Sequence, residues 1–464
     1  MTDSNSFDID ESAIWNILAA TAKPDAARVR EILAKGREMK GLDAEDIAPL
    51  MALSDPTLIG ELFETARTIK DTIYGRRLVI FAPLYISNLC ANECVYCAFR
   101  ARNKEVERRA LTSEEIARET RILIDQGHKR VLLVAGESYP VKGFQYVLDA
   151  IDTVYSVKHG NGEIRRVNVN IAPLKTEEFA RLKEAKIGTY QLFQETYHHE
   201  TYAKVHLAGK KADYHWRLRA IDRAMTAGID DCGIVVLFGL ADWRFELLAL
   251  MQHIRHLEGA FGVGPHTISV PRLEPATGSD IAEHPPQPVD DLDFRKIVAI
   301  LRIAVPYTGI IMSTRETANL RRETFALGVS QISAGSRTNP GGYAESARED
   351  ASQFSLGDHR SLDEVIIDVA KLGYVPSFCT GCYRLGRTGA DFMDMAKPGD
   401  IKAHCDPNAA STFEEYLMDY GSEESRAIGE KAIETFIGDM AETPARHSRI
   451  MVSKVKEGKR DVYR

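Results

Sequence analysis

The stretch LVIFAPLYISNLCANECVYCAFR (78–100) combines an apolar run with three closely spaced cysteines. Residues 78–87 have the apolar character of a buried strand. Cys90, Cys94 and Cys97 follow it with the spacing C-x3-C-x2-C, and no further Cys or His stands close by. Three thiols are one ligand fewer than a structural zinc site takes, and soft thiolates also suit iron–sulfur clusters. The spacing therefore favours a cluster that leaves one iron open to an exogenous ligand.

Strand and helix patterns alternate from residue 78 to about residue 340. Helices are predicted between most of the strands, for example over 213–228. Eight strands over roughly 260 residues predict a closed (β/α)8 barrel, an α/β fold whose active sites lie at the carboxyl ends of the strands. The seven predicted strands after the first are VLLVAG (131–136), VNVNIA (167–172), YQLFQE (190–195), IVVLFG (234–239), TISVPR (267–272), GIIMS (309–313) and QISAGS (331–336).

Helical patterns flank this barrel on both sides. Residues 1–77 are predicted to form an N-terminal helical extension, in which Asp55 and Pro56 begin a helix with a regular apolar stripe. We expect the barrel to span 78–340. Residues 341–464 are predicted to form a mostly helical C-terminal domain that carries a second set of cysteines.

The second set is Cys379, Cys382 and Cys405, with the spacing C-x2-C-x22-C. It is again three thiols. Zinc is a serious alternative here, because His404 stands beside Cys405 and could complete a four-ligand site. Cys232 has no cysteine neighbour and is predicted to be a buried small side chain.

Composition limits the possible functions. The chain has 464 residues, 44% of them hydrophobic, and a net charge of −8. This modest charge argues against a nucleic-acid or membrane-surface role. No stretch approaches the ~20 apolar residues of a membrane span, and the acidic N-terminus does not resemble a signal peptide. A cytoplasmic location is therefore expected, in which clustered thiols stay reduced and bind metal.

The first cysteine set, with Phe99 two residues after Cys97, resembles the signature of the radical S-adenosylmethionine (SAM) superfamily. This resemblance implies a 4Fe–4S cluster whose open iron binds SAM, and cleavage of SAM to a 5′-deoxyadenosyl radical. Gly136 and Glu137 resemble the superfamily segment that contacts the methionyl amine, although Ala135 replaces its first glycine. Gln194 and Glu195 are further candidates for contact with SAM or substrate. A solvated loop charge is the alternative for Glu137.

The whole chain is similar to the FeFe-hydrogenase maturation tyrosine lyases, the HydG family. The similarity is carried by blocks such as FAPLYISN (81–88), LFQETYH (192–198), STRET (313–317) and GVSQISAGSRT (328–338), and by the second cysteine set, which the sister family of thiazole-pathway lyases lacks. It implies that this second set holds an auxiliary iron–sulfur cluster bridged to an additional iron. Free L-cysteine and His266 would bind that iron. A hydrogen-bonded strand-end histidine is the alternative for His266, and His404 is the rival ligand.

The same resemblance implies the substrate and the reaction. L-tyrosine would be cleaved to p-cresol and dehydroglycine, and dehydroglycine to carbon monoxide and cyanide, which bind the additional iron. Arg315 is the predicted partner of the substrate carboxylate, with Ser336 and Arg337 as further active-site residues. Arg321 and Arg322 are weaker candidates. Other hydrogenase-maturation proteins and an electron donor are the expected partners.

Three alternatives remain open from the sequence. The chain could be a tyrosine lyase that releases dehydroglycine for thiazole synthesis. It could be a non-catalytic iron–sulfur carrier, although Gly136, Glu137 and STRE (313–316) argue against that. It could also be a radical SAM barrel whose C-terminal domain is stabilised by zinc.

Overall fold

Eight parallel strands form a closed barrel in the computed structural model, which describes residues 7–21, 23–140, 142–345 and 351–464. β1 pairs with β2 on one side and with β8 on the other, which closes the barrel. All eight predicted strands are confirmed. They are β1 (Arg77–Ser87), β2 (Arg130–Ala135), β3 (Arg166–Asn170), β4 (Tyr190–Glu195), β5 (Cys232–Val236), β6 (Thr267–Ser269), β7 (Gly309–Met312) and β8 (Gln331–Ser333).

Four helices precede the barrel: α1 (Glu11–Ala20), α2 (Ala26–Gly36), α3 (Ala44–Met51) and α4 (Pro56–Ile73). The start of α4 is as predicted, because the Asp55 carboxylate accepts hydrogen bonds from the backbone N–H groups of Thr57 and Leu58. The apolar stripe from Leu58 to Ile73 is buried. It packs α4 against a helix on the outside of the barrel.

The helices that surround the barrel are α5 (Ser113–Asp125), α6 (Gln145–Ser156), α7 (Thr176–Glu184), α8 (His199–Val205), α9 (Tyr214–Leu218), α10 (Ala220–Thr226), α11 (Trp243–Phe261), α12 (Asp280–Glu283), α13 (Asp291–Ala304) and α14 (Ala318–Phe325). A short hairpin pairs Lys158–His159 with Gly162–Glu163. The helical stretch predicted over 213–228 consists of two helices, α9 and α10, which are separated at Arg219. Arg217, in the last turn of α9, is buried and donates to the carbonyl of Phe193.

A ninth strand, β9 (Val375–Ser377), which the sequence did not predict, joins the C-terminal part to the barrel. It pairs in parallel with Arg77–Val79, the amino end of β1. Six helices accompany it: α15 (Leu362–Lys371), α16 (Gly381–Arg384), α17 (Gly389–Ala396), α18 (Lys402–Asp419), α19 (Glu423–Gly438) and α20 (Glu442–Lys456). Since Cys379 lies two residues after β9, the second cysteine set is at the amino end of the barrel. The first set follows the carboxyl end of β1.

None of the helices in the described part of the chain is both long and apolar enough to span a lipid bilayer.

Candidate active site and cysteine ligand sets

The loop that carries the first cysteine set is held at the carboxyl end of the barrel. The backbone N–H of Glu93 donates to the carbonyl of Ala208, and that of Val95 donates to the carbonyl of Val205. Within the loop, the N–H of Cys97 donates to the carbonyl of Cys94 over 3.0 Å. These bonds fix the loop against the segment that follows α8. Cys90, Cys94 and Cys97 all face the cavity inside the barrel.

The three thiols lie in a largely apolar environment near two cations, Lys211 and Arg315. Burial raises the pKa of Cys94, and the ammonium of Lys211 opposes that rise. The Cys97 sulfur accepts a hydrogen bond from the Phe99 N–H at 3.4 Å and another from the Gln353 amide at 3.7 Å. Hydrogen bonds of this kind stabilise cluster-bound thiolates. The apolar shell consists of Tyr85, Phe99, Val134, Leu237 and Leu273.

The distances between the sulfur atoms indicate whether a single zinc ion or an iron–sulfur cluster fits each cysteine set. In neither cysteine set do three sulfur atoms lie within 4.8 Å of one another, as far as the described residues show. Around one tetrahedral zinc, sulfur atoms at ≈ 2.3 Å from the metal are only about 3.8 Å apart. Both sets are therefore more open than mononuclear zinc requires. The first fits a 4Fe–4S cluster, in which each thiolate binds a different iron.

Gly136 and Glu137, the predicted SAM contacts, lie next to this loop. A Cβ atom at Gly136 would lie 2.3 Å from the carbonyl oxygen of Leu89, so only glycine allows the cysteine loop this close to β2. Glu137 is not a solvated loop charge. Its carboxylate is buried in the cavity wall and accepts hydrogen bonds from Arg217 at 2.9 Å and Asn92 at 2.8 Å. Burial raises the pKa of Glu137, but Arg217 and Lys211 outweigh it and hold that pKa below its usual value.

The two candidates on β4 have different positions. Glu195 lines the cavity and forms an ion pair with Lys211 at 2.6 Å. Its φ of 73° is in the left-handed region, where the strand bulges against β5. Gln194 is buried but is not among the residues that line the cavity. Alternate side chains of a strand face opposite sides, so the position of Gln194 does not favour its predicted role as a SAM contact.

Sequence reasoning missed the cations and the amide that partner these carboxylates. Lys211 and Arg217 both line the cavity and are buried, and Asn92 connects Glu137 to the backbone N–H of Lys211. The signal was weak, since Lys211 stands in a polar run without periodicity and Arg217 appeared to belong to a surface helix. Together the four charged groups form two buried ion pairs beside the cysteine loop.

Arg315 is the cavity cation without such a partner. Its guanidinium lies 3.2 Å from the centre of the Phe354 ring, and no carboxylate among the described residues forms an ion pair with it. Burial lowers the pKa of Arg315. Arg321, by contrast, is bonded to Asp358 and to the carbonyl of Ser333, and Arg322 pairs with Asp368 at the surface. The arrangement favours Arg315 over the other two as a carboxylate-binding residue.

Of the other two predicted active-site residues, one lines the cavity and the other does not. Ser336 is buried and lines the cavity, and its hydroxyl has no hydrogen-bond partner in the described part of the chain. A substrate group could satisfy it. Arg337 is not among the lining residues, and its guanidinium donates to the carbonyl of Ser336 at 2.9 Å. The position of Arg337 does not favour contact with substrate.

The second cysteine set lies beneath the barrel among basic groups. The Gly381 N–H donates to the Cys379 sulfur at 3.3 Å, and Arg130 donates to the Cys379 carbonyl at 2.7 Å. A hydrogen bond from the Cys405 thiol lowers the pKa of Cys382 and raises that of Cys405. Arg77 is close enough to favour the thiolate form of both. The site thus combines three thiols, two of them in hydrogen-bond contact, with positive charge that suits an anionic cluster.

His266 lies immediately before β6 and is therefore at the same end of the barrel. Its Nε2 atom is 2.8 Å from the hydroxyl of Tyr383, the residue that follows Cys382, and its Nδ1 atom is 3.1 Å from Asp231. Burial lowers the pKa of His266, so the imidazole is neutral, as a metal ligand must be. His404 precedes Cys405 on α18 and is half-buried. Cys232, as expected, is buried in β5.

Comparisons with known proteins agree with this arrangement. Residues 84–251 match the radical SAM superfamily, and residues 269–375 match the biotin and thiamin synthesis associated domain. The 2-iminoacetate synthase of Escherichia coli (strain K12) is 33% identical over 342 residues, which cover 73% of this chain and 88% of that protein.

Two solved structures are similar over nearly the whole length. One, a crystal structure of HydG, a maturase of the FeFe-hydrogenase, is 47% identical with a TM-score of 0.95 and covers 98% of this chain and 99% of its own. The other, the maturase HydG from Carboxydothermus hydrogenoformans, is 42% identical with a TM-score of 0.83 and covers 95% and 97%. The chain therefore belongs to the radical SAM superfamily and, within it, to the HydG family of tyrosine lyases.

Proposed function

We propose that this enzyme cleaves L-tyrosine and converts the amino-acid fragment into carbon monoxide and cyanide on iron, as a precursor of the FeFe-hydrogenase active site. One observation carries the proposal: the half-buried Arg315, without an ion pair in the described chain, shares a cavity with Cys90, Cys94 and Cys97. The second cysteine set, at the amino end of the same barrel, supports the later step. It is suited to receive the products.

The first half of the reaction depends on SAM. A 4Fe–4S cluster held by Cys90, Cys94 and Cys97 would supply the electron that cleaves SAM to methionine and a 5′-deoxyadenosyl radical. The chain's own groups orient the reactants. Glu137 faces the methionyl ammonium, Arg315 binds the tyrosine carboxylate and the Ser336 hydroxyl adds a hydrogen bond. The apolar walls of the cavity exclude water from the radical.

The proposed reaction begins at the amino group of tyrosine. The radical takes a hydrogen atom from the tyrosine amino group, and the Cα–Cβ bond breaks into dehydroglycine and a 4-hydroxybenzyl radical. One electron from the external reductant that also supplies the cluster, together with one proton, reduces the latter to p-cresol. Dehydroglycine, HN=CH–COOH, then yields carbon monoxide, hydrogen cyanide and water. At the amino end of the barrel, Cys379, Cys382 and Cys405 would hold an auxiliary cluster, and His266 together with free L-cysteine would hold the additional iron.

The experiment that tests the full proposal is infrared spectroscopy during anaerobic turnover with SAM, tyrosine, L-cysteine and reductant. Metal-bound carbonyl and cyanide bands that shift with 13C-labelled tyrosine are the expected result. Formation of p-cresol without such bands would remove the second half of the proposal and keep the lyase. A protein that binds iron but does not cleave SAM would be a carrier.

Replacing Arg315 with lysine is expected to raise the KM for tyrosine. A hydrogen bond to a charged group contributes roughly 1.5–3 kcal/mol, which corresponds to about a 10- to 150-fold change in KM. Steady-state p-cresol formation measures it. The matched control is Arg322→Lys, since Arg322 lies at the surface, where it pairs with Asp368 and donates a hydrogen bond to Asn319. An unchanged KM in Arg315→Lys would contradict the role of Arg315.

We expect the KM for tyrosine to depend on pH because Glu274 titrates close to Arg315. Glu274 lines the cavity, and burial together with Glu316 raises its pKa to about 7, against the opposing charge of Arg315. The carboxyl is therefore neutral below pH 7 and anionic above it, where it competes with the substrate for Arg315. We expect KM to rise roughly fivefold from pH 6 to pH 8, an effect of about 1 kcal/mol. Glu274→Gln should flatten this profile, and a profile of the same slope would contradict the assignment.

A further inference from the structure

A second group of potential metal ligands lies on the outer surface, where the N-terminal segment meets α8 and α9. The Asp8 carboxylate has one oxygen 3.0 Å from His199 Nε2 and the other 2.9 Å from His215 Nε2. Within the described residues, this is the group of His, Cys, Asp and Glu side chains that brings three ligand atoms within 4.8 Å of one another. We propose that Asp8, His199 and His215 bind one divalent transition-metal ion of the zinc type, separate from the iron–sulfur sites.

The partners of the two ring nitrogens of His199 favour a metal ion at this position. Its Nε2 atom faces Asp8, and its Nδ1 atom is 2.8 Å from the Glu11 carboxylate. A neutral imidazole has one N–H, so it can satisfy only one of two carboxylates. When Nδ1 donates its proton to Glu11, the lone pair of Nε2 points at the Asp8 oxygen, and either a second proton or a metal ion has to lie between them. A carboxylate that fixes the tautomer from behind is the usual partner of a metal-bound histidine.

The distances between the ligand atoms and the net charge of the group also favour a metal ion. Nitrogen and oxygen ligands at 2.0–2.2 Å from a tetrahedral zinc lie about 3.3 Å from each other. The separations of 2.9 and 3.0 Å are close to that, so small rotations of the side chains would admit an ion. Two imidazoles and one carboxylate are ligands that divalent zinc and iron accept, with a position left for water. Two carboxylates, Asp8 and Glu11, supply the charge that balances a dication.

A metal ion at this position would connect two parts of the fold that are distant in sequence. Asp8 belongs to the segment before α1, whereas His199 begins α8 and His215 lies in α9. A bound ion would therefore join the N-terminal segment to the part of the barrel that carries Lys211 and Arg217. The ring of Phe7, stacked on His256 at 3.9 Å, already holds the same segment from the other side. All three ligands are partly exposed, so an ion can enter from solvent.

The test uses the reconstituted holoenzyme under anaerobic conditions, so that iron occupies the cysteines. Zinc is titrated against a chromophoric chelator, and zinc is counted by mass spectrometry after desalting. We expect one zinc per chain in the wild type, and a Kd at least tenfold weaker in His199→Gln and in His215→Gln. Glu11→Gln should weaken binding by about 10- to 100-fold although it removes no direct ligand.

The matched control is His159→Gln. His159 is an exposed histidine paired with Asp125, but no third ligand atom lies near this pair in the described chain. Its zinc affinity should equal that of the wild type. Hydrogen exchange supplies a second readout: zinc should slow exchange over residues 7–20 in the wild type and not in His215→Gln. Equal zinc binding in the wild type, His199→Gln and His215→Gln, or an unchanged exchange rate, would overturn the proposal and leave the cluster as an ordinary ion-pair network.

Discussion

Cys94→Ala is expected to abolish the reductive cleavage of SAM, and with it the formation of p-cresol. Cys94 is the most buried of the first three cysteines and faces Lys211 across the cavity. Without its thiolate, the cluster loses one of the three protein ligands that hold it in place. The measurement is 5′-deoxyadenosine after anaerobic incubation with SAM and dithionite. Iron should fall by about four atoms per chain, the content of one 4Fe–4S cluster, while the iron of the second set remains.

Cys232→Ala is the matched control for that experiment. It also removes a buried thiol, but one inside β5 that packs in the hydrophobic core and donates a hydrogen bond to the carbonyl of Ile229 at 3.3 Å. SAM cleavage should stay near the wild-type level. If Cys94→Ala still produces 5′-deoxyadenosine at a comparable rate, the C-x3-C-x2-C loop is not the site of the radical chemistry.

The double variant Cys379→Ala and Cys382→Ala should separate the two halves of the reaction. Tyrosine cleavage needs only the carboxyl end of the barrel, so p-cresol should continue to form. Dehydroglycine should then leave the enzyme and hydrolyse to glyoxylate, and the infrared bands of metal-bound carbonyl and cyanide should be absent. Loss of about four or five irons per chain would accompany this change, whereas loss of one zinc would support a zinc-stabilised domain instead.

His266 and His404 can be distinguished in the same assay. His266 is buried beside Tyr383 at the barrel end, whereas His404 is half-buried on α18. If His266 holds the additional iron, His266→Ala should lose the infrared bands and His404→Ala should keep them. The reverse pattern would transfer the ligand role to His404. Formation of p-cresol should be unaffected in both variants.

The barrel strands could be predicted from the sequence because each is a short apolar run bounded by helix caps, and parallel buried strands produce such runs. β9 could not. Its residues, Val375–Ser377, include a proline, and they form a strand by pairing with the amino end of β1, a contact between segments about 300 residues apart. The split between α9 and α10 was likewise missed, since burial of Arg217 depends on contacts from β2 and β4.

At the site, the prediction for Cys90, Cys94 and Cys97 rested on their spacing, whereas the prediction for Cys379, Cys382 and Cys405 rested on the family resemblance, because Cys405 lies 23 residues after Cys382. The side on which a strand residue faces was harder to predict. Glu195 and Gln194 are neighbours with similar polarity, yet only Glu195 lines the cavity, because the bulge at its position sets the direction of the strand end. Lys211 and Arg217 come from segments whose polar patterns are typical of a surface. Their ion pairs with Glu195 and Glu137 exist only in the closed barrel.

The position of β1 sets the order of events during synthesis of the chain. Its partner β8 lies about 250 residues after β1, and its other partner β9 lies about 300 residues after β1. A ribosome adding ≈ 5–20 residues per second needs roughly 12 to 50 s between finishing β1 and finishing β8. Throughout that interval Cys90, Cys94 and Cys97 are exposed on an unclosed chain. The closed cavity around the first cysteine set therefore forms only after β8 has been made, and until then the nascent thiols depend on reducing surroundings.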